Sequence, residues 1–203
     1  MRRTSPRSII SIASTAVAVI LLAAGGLLMW GSAYVHNTVQ GQLASQQIFF
    51  PPASAFAHAK AGTEITPSMI PSVSQYAGQQ MLTGQQAEAY ADHFIAVHIQ
   101  NMGAGKTYSQ LSAESIAQPN NAKLAATVGT VFKGETLRSM LLNAYGWWKV
   151  SQIVYIVSLV LFGLGTMAGL ASAYLLSFGR RPRGAGQVAQ PSTHETITPT
   201  MTA

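Results

Sequence analysis

The chain contains two long stretches of apolar residues without a charged side chain, at 9–30 and 150–178. A helix of about 20 apolar residues crosses the hydrocarbon core of a bilayer, which is roughly 30 Å thick. Both stretches reach that length, and the second exceeds it, so we expect that span to be tilted. With the aromatic residues at their outer ends included, the pattern predicts transmembrane helices at 9–34 and 147–178.

A cleaved secretory signal is the alternative interpretation of the first stretch, because signals also combine basic residues, an apolar core and small residues. The stretch is longer than the usual signal core of about 7–15 residues, so we expect a retained anchor. Proton relays, ion pathways and voltage sensors need charged residues inside the membrane. Neither stretch contains one, and we expect no channel or pump activity from this chain alone.

Shorter periodic segments lie between the two stretches. Gln47–Phe50 has the pattern of a short strand, and 53–80 is rich in Ala, Ser, Pro and Gly, which is typical of an irregular loop. Thr83 and Gln86 fit a capping box, so we expect a helix to begin there and to end at Gly103. The buried stripe of this helix is expected to contain Ala87, Tyr90, Ala91, Phe94, Ile95 and His98.

Two further helices are predicted before the second apolar stretch. One covers Leu111–Ala117, and the other runs from Asn121 towards Tyr145 and almost directly into the second span, with bends at Gly134 and Gly146. The inward positions of this last helix are expected to be Leu124, Val128, Val131, Phe132, Leu137, Leu141 and Tyr145. The predicted fold is mainly α, with two transmembrane helices flanking a mostly helical extracytoplasmic domain that contains an irregular loop rich in Pro, Ser and Ala.

The distribution of charge predicts the topology. Of the 203 residues 9% are charged, and the net charge is +6. The arginines beyond the distal ends of the two stretches are Arg2, Arg3, Arg7, Arg180, Arg181 and Arg183. By the positive-inside rule, 1–8 and a flexible tail at 179–203 lie in the cytoplasm, and 35–146 lies outside the plasma membrane. Because the positive charge is concentrated beside the spans, the chain lacks the basic face that nucleic-acid binding needs.

Two sets of residues are expected to position the spans. The interfacial anchors are Trp30, Tyr34, Trp147 and Trp148. The small residues that allow close helix packing are Gly163, Gly165, Gly169, Ser172 and Ala173 in the second span, and Gly25 and Gly26 in the first. The two glycine patches lie at different depths in the membrane. We therefore expect them to be poor partners for each other, which leaves at least one patch free for another protein.

Candidate chemistry is sparse in the central segment. The sequence GAGKT at 103–107 lacks the first glycine of a phosphate-binding loop. His93 and His98 point about 140° apart around one helix, so a metal site would also need His36 or His58. Neither a Ser-His-Asp arrangement nor a carboxylate pair stands out. We expect no catalytic residue, no cofactor, no metal site and no enzyme activity.

The segments TGQQAEAYADHFIAVHIQNMGAGKTYSQLS and FKGETLRSMLLNAYGWWK, together with the second span, resemble a group of actinobacterial two-span membrane proteins. The resemblance covers 39–178. It implies two spans around a helical outer domain and an actinobacterial source, and it implies no activity for particular residues.

These features favour a non-catalytic accessory or structural subunit of a larger membrane protein complex, such as a respiratory or membrane-oxygenase assembly. The expected partners are other integral membrane subunits and the lipid bilayer, with no nucleic acid. An extracytoplasmic sensor or ligand-binding module is the first alternative, and it would require a pocket among the outer helices. The second alternative is a weak metal-binding chaperone that uses His36, His58, His93 or His98.

Overall fold

A computed structural model describes residues 6–178, with side chains from 9 to 177. The α-helices of this part are α1 (Pro6–Ser45), α2 (Ala53–Ala57), α3 (Ile70–Val73), α4 (Gly84–Tyr90), α5 (Ala96–Met102), α6 (Tyr108–Ala117) and α7 (Ala122–Phe178). Two 3-10 helices, Pro67–Met69 and Ser74–Tyr76, and a π-helical turn at Ala91–Ile95 complete the regular structure. The mainly helical fold class is thus confirmed.

The helices α1 and α7 are 40 and 57 residues long. Each contains a window that is long and apolar enough to cross a membrane, and 11% of each window is buried. The core helix of a soluble protein would bury most of such a window. Two long apolar helices with exposed apolar surface are compatible with a membrane protein.

Both long helices extend beyond the predicted spans. α1 continues past Tyr34 to Ser45, because Val39 and Leu43 recur at a spacing of four and are buried in the protein core. α7 is one uninterrupted helix through Gly134 and Gly146, the two expected bends. Gly134 instead allows α5 to pack closely on α7, because an added methyl group would lie 2.8 Å from the Ile99 side chain on α5.

Residues 46–121 and the first half of α7 form a helical cap, in which capping boxes start two of the helices. Thr83 Oγ1 accepts from the Gln86 backbone N–H at 3.2 Å, and Gln86 Oε1 accepts from the Thr83 N–H at 3.0 Å. This box confirms the predicted start of a helix. A second box, which the sequence interpretation missed, joins Thr107 and Gln110 at the start of α6. Each box satisfies backbone donors that have no partner inside the helix.

The predicted helix from Thr83 to Gly103 is three joined segments, α4, the π-helical turn and α5. The turn brings Asp92 to α7, where Arg138 donates from Nη2 to Asp92 Oδ1 at 2.7 Å. This hydrogen bond raises the pKa of the Arg138 guanidinium, although burial opposes the rise. The π-helical turn is thereby fixed to the cap end of α7.

The cap core lies between the short helices and the two long ones. Met69, Val73, Met81 and Val131 are fully enclosed in it. Of the positions expected to face inward on α7, Phe132 and Leu137 are exposed, at 53% and 39%. Phe132 instead lies beside Tyr108 of α6, with ring centroids 5.5 Å apart. That prediction was wrong at these two positions, because the apolar period alone does not show which side of α7 the short helices cover.

The segment Gln47–Phe50, predicted as a short strand, makes an isolated bridge between Phe49 and Gln80. Met81 N–H donates to the Ile48 carbonyl at 2.9 Å beside this bridge. Gln47 has a positive φ of 51°, which turns the chain sharply after α1. Two extended segments meet here without growing into a sheet in the described part of the chain.

Candidate functional site

The long helices α1 and α7 pack together along a line of small residues that recur at every seventh position. On α1 these are Ser11, Ala18, Gly25 and Ser32, and on α7 they are Ser151, Ser158, Gly165 and Ser172. All eight are buried, and we call the two rows together the seam. A seven-residue repeat keeps one face of a helix against its partner. Small side chains allow the two backbones to approach closely.

Hydroxyl groups connect the helices at both ends of the seam. At one end Ser172 Oγ donates to the Ser11 carbonyl at 2.9 Å, and its oxygen lies 2.6 Å from Thr15 Oγ1. At the other end Ser32 Oγ donates to the Ser151 carbonyl at 2.7 Å. These two ends are three heptads apart on each helix, which is a rise of roughly 30 Å at about 1.5 Å per residue. The seam therefore has the length of a bilayer hydrocarbon core.

Glycines occupy the middle of the seam, where little room is left between the two helices. A methyl group added at Gly165 would lie 2.9 Å from Leu22 Cγ and 3.3 Å from the Ala18 carbonyl oxygen. One added at Gly25 would lie 3.2 Å from the Ser158 carbonyl oxygen. The two glycines lie one heptad apart along the seam, and each faces the opposite helix. The inference that different depths leave one patch free does not hold for these two positions.

The other expected packing residues lie farther from the opposite helix. Added methyl groups at Gly26 and Gly169 would lie 3.9 Å from Phe162 and 3.8 Å from Ala18. A methyl group at Gly163 would have no such neighbour within 4 Å, and Ala173 is exposed. Of the two glycines in the GxxxG motif, Gly165 therefore packs more tightly against α1. Ser172 lies on the same side of α7 and forms a hydrogen bond to α1.

The four expected interfacial aromatic residues divide into two groups. Trp30, Tyr34 and Trp147 are exposed. Trp148 is 5% exposed and belongs to the protein core, so it does not face lipid as an anchor would. The arginines at 2, 3, 180, 181 and 183 and the tail at 179–203 lie outside the described residues, and for Arg7 the structure describes the backbone alone.

Trp148 instead connects the cap to the long helices. A methyl group on Gly84, the first residue of α4, would lie 2.4 Å from Trp148 Cβ. The His36 ring also packs against this side chain, with its centroid 3.9 Å from that of Trp148. Among the described residues the buried Nε1 of Trp148 has no hydrogen-bond partner. The tightly packed Trp148 therefore fixes the position of the cap relative to the Ser32–Ser151 end of the seam.

Two clefts flank this end of the seam. The boundary cleft has a volume of about 320 Å³ and is lined by Met29, Ser32, Ala33, His36, Asn37, Ser151, Gln152 and Tyr155. The outer cleft has a volume of about 430 Å³ and is lined by Tyr34, Val35, Thr38, Val39, Gln42, Met140, Asn143, Ala144 and Trp147. His36 and Thr38 point about 200° apart around α1, so the clefts lie on opposite sides of that helix.

A shallow groove of about 350 Å³ adjoins the outer cleft, because both contain Met140. Its other lining residues are Tyr108, Phe132, Glu135, Thr136 and Ser139. The groove and the outer cleft together form a mixed surface along the cap half of α7, in which Phe132, Met140 and Trp147 are the large apolar side chains.

The histidines considered as metal ligands are dispersed. His36 stacks on Trp148, and His98 lies in the cap with Nδ1 2.8 Å from the Phe94 carbonyl oxygen. His58 follows α2, and His93 is in the π-helical turn. No group of three His, Cys, Asp or Glu residues within the described part of the chain could hold a metal ion.

A row of aromatic rings runs through the cap from Phe50 to His98. Phe50 contacts Tyr90 with ring centroids 5.4 Å apart, and Phe94 lies between Tyr90 and His98 at 4.6 and 4.5 Å. Burial raises the pKa of the Tyr90 hydroxyl, and the negative charge of Glu64 adds to the rise. The row contributes apolar packing to the cap core.

No family model, curated protein or solved structure matches this chain.

Proposed function

We propose that this protein is a non-catalytic accessory subunit of a larger membrane protein complex, such as a respiratory or membrane-oxygenase assembly. In this proposal α1 and α7 cross the plasma membrane, both termini lie in the cytoplasm, and the cap lies outside. The arginines beside the two apolar stretches support this topology through the positive-inside rule.

The dimensions of the seam support the proposed depth of the helices. Its hydroxyl contacts, Ser11 with Ser172 and Ser32 with Ser151, lie roughly 30 Å apart along the helices. Between them, polar seam groups are turned towards the opposite helix, while large apolar side chains such as Ile20 and Leu164 point outward. This arrangement keeps polar groups away from hydrocarbon. In this proposal the Ser32–Ser151 contact lies at the outer boundary of the lipid.

The observation that carries the proposed role is an exposed apolar row beyond that boundary. Tyr108, Phe132, Met140 and Trp147 form this outer row, and the last three are 53%, 65% and 54% exposed. Phe132 and Trp147 are separated by a rise of about 22 Å along α7, so most of the row would contact water rather than lipid. Exposed apolar surfaces of this kind mark sites where another protein binds.

The shape of the outer row indicates the kind of partner. The groove and the outer cleft follow the axis of α7 and meet at Met140. A helix that rises from the membrane beside α7 would lie along both of them, as in helix-in-groove recognition. We therefore assign the outer row to an integral membrane subunit whose helix continues beyond the bilayer.

The test is site-specific photocrosslinking in native membranes. A photoreactive phenylalanine analogue at Met140 should capture one reproducible membrane subunit. The same analogue at Ser54, an exposed residue of α2, serves as the control and should not capture it. Met140→Lys should abolish co-purification of the captured subunit, whereas Ser54→Lys should leave it intact. Recovery of the wild-type chain without a reproducible partner, or equal capture from both positions, would refute the proposal.

A further inference from the structure

The groove on the cap half of α7 combines two aromatic rings with an acidic side chain. Tyr108 and Phe132 both line it, with ring centroids 5.5 Å apart. Both residues are exposed rather than covered by the rest of the cap. Glu135 lines the same groove, and its side chain is 42% exposed. Two rings and one carboxylate are therefore accessible together at this position.

The carboxylate of Glu135 is incompletely neutralised within the cap. Arg138 Nη1 lies 3.5 Å from Glu135 Oε2, whereas Arg138 Nη2 donates to Asp92 Oδ1 at 2.7 Å. One guanidinium thus serves two carboxylates, so this cluster has a net charge of −1. Glu135 forms no other ion pair with the residues that the structure describes. A cation on another molecule would therefore be attracted to Glu135.

The lysines near the groove do not supply this cation. Lys106, two residues before Tyr108, is bound to Glu114, with Nζ 2.6 Å from Oε1. Lys133 lies on α7 but points about 160° from Glu135 around the helix. Neither lysine lines the groove. The groove thus keeps its negative charge in the folded cap.

The chemistry of the groove suits a long basic side chain. An aromatic ring attracts a cation that lies over its face, within about 6 Å of its centroid. Lys and Arg also have apolar stems, which pack on apolar surface while the charged head stays in water. The groove offers Phe132 and Met140 to such a stem and Glu135 to the head.

We propose that the groove binds a basic side chain, Lys or Arg, of the partner helix, which packs on Tyr108 and Phe132 and pairs with Glu135. This inference rests on the proposed function and adds the charge of the partner at one position. In the proposed orientation Phe132 lies about 22 Å beyond Trp147 along α7. The headgroup layer is only about 5–8 Å thick, so the cation belongs to a protein rather than to a lipid.

The first experiment maps the contact in native membranes that contain the full chain. A photoreactive phenylalanine analogue at Ser139, an exposed residue of the groove, captures the neighbouring helix. Chymotryptic peptide mapping then identifies the contact residue of the captured subunit. We expect a Lys or Arg within one helical turn of that contact. A turn without a basic residue there would contradict the proposal.

Charge reversal tests the pairing itself. Glu135→Lys replaces attraction by repulsion and should lower co-purification of the captured subunit about fivefold. Glu114→Lys changes a carboxylate of similar exposure outside the groove and should leave co-purification unchanged. Replacing the mapped basic residue of the partner by Glu should restore recovery with Glu135→Lys. Phe132→Leu keeps an apolar side chain but removes a ring, so it should lower recovery about two- to fivefold.

The outcomes separate this inference from the proposed function. Capture of one subunit from Met140, with unchanged recovery in Glu135→Lys, would overturn the basic side chain and leave the accessory role standing. A loss in Glu135→Lys that the reversed partner residue does not restore would refute direct pairing. Absence of a reproducible captured subunit from Met140 would refute both.

Discussion

The contact between α1 and α7 changes character along its length. In the seam the facing residues are Ser, Ala and Gly, and hydroxyl groups bond to backbone carbonyls across the helices. One heptad beyond Ser32 the same line reaches Val39, followed by Leu43, and both are buried against the cap core. In the proposed membrane location, lipid would give no hydrophobic drive to pack one apolar helix on another, so close approach and hydrogen bonds would hold the seam. In water, burial of large side chains holds the cap.

The largest effect on the seam is expected from added bulk at Gly165. Gly165→Leu places a branched side chain where even a methyl group would lie 2.9 Å from Leu22 Cγ. We expect a loss of stability above the roughly 1–3 kcal/mol of an ordinary overpacked site, measured by SDS titration of the purified protein. Gly163→Leu is the matched control, because that position faces away from α1. Equal stability of the two variants would contradict the seam.

A smaller effect is expected where the cap meets the seam. Gly84→Ala puts a methyl group 2.4 Å from Trp148 Cβ, so the tryptophan or α4 must move, at a cost of about 1–3 kcal/mol. The expected result is a lower urea midpoint for the cap with little change in the SDS titration. The control is Gly41→Ala on α1, where an added methyl group would have no neighbour within 4 Å among the described residues. This variant should be neutral or slightly stabilising. A Gly84→Ala protein as stable as Gly41→Ala would mean that Trp148 does not fix the cap.

Within the cap, the two capping boxes offer a graded comparison. Thr83→Ala should lower the free energy of unfolding by about 1 kcal/mol, because it removes the acceptor for the Gln86 N–H at a half-buried helix start. Thr107→Ala should have a smaller effect, since its box is exposed to water. Urea denaturation followed by circular dichroism measures both. A larger loss of stability in Thr107→Ala than in Thr83→Ala would contradict the greater contribution assigned to the Thr83–Gln86 box.

The smallest effect concerns alkaline pH. Because the pKa of Tyr90 is raised in the folded cap, the unfolded chain loses this proton first as the pH rises through the ordinary value of about 10. Folding stability should therefore fall with increasing pH above that value. Tyr90→Phe should remove this contribution and flatten the alkaline part of the urea-midpoint profile. An equally steep profile in Tyr90→Phe would show that other groups cause the loss.

Features set by short, local sequence patterns could be predicted from the sequence. The apolar stretches identified both long helices, and the Thr83–Gln86 pattern identified the start of α4. The same pattern at Thr107 and Gln110 was available and was missed. The seam is also present in the sequence as small residues at every seventh position in both apolar stretches. The GxxxG spacing describes one helix only, so it did not predict which residues of the two helices face each other.

Features that depend on tertiary packing could not be predicted. An aromatic residue beside a span suggests an interfacial anchor whether it faces lipid or protein, so Trp148 was misassigned. The π-helical turn has no sequence signature in the hydrophobic period, and it is stabilised by a contact to distant Arg138. The boundary cleft depends on the register of α1 against α7, which brings His36 close to Gln152 only after folding.

Disulfide formation tests the register of the seam directly, because the chain has no cysteine. Ser11 and Ser172 have hydroxyl oxygens 3.1 Å apart, so Ser11→Cys with Ser172→Cys should form an intrachain disulfide on mild oxidation in membranes. Ser11→Cys with Ala168→Cys, displaced by about one helical turn, should form little. Efficient cross-linking of the displaced pair, or none in the facing pair, would contradict this register of α1 against α7.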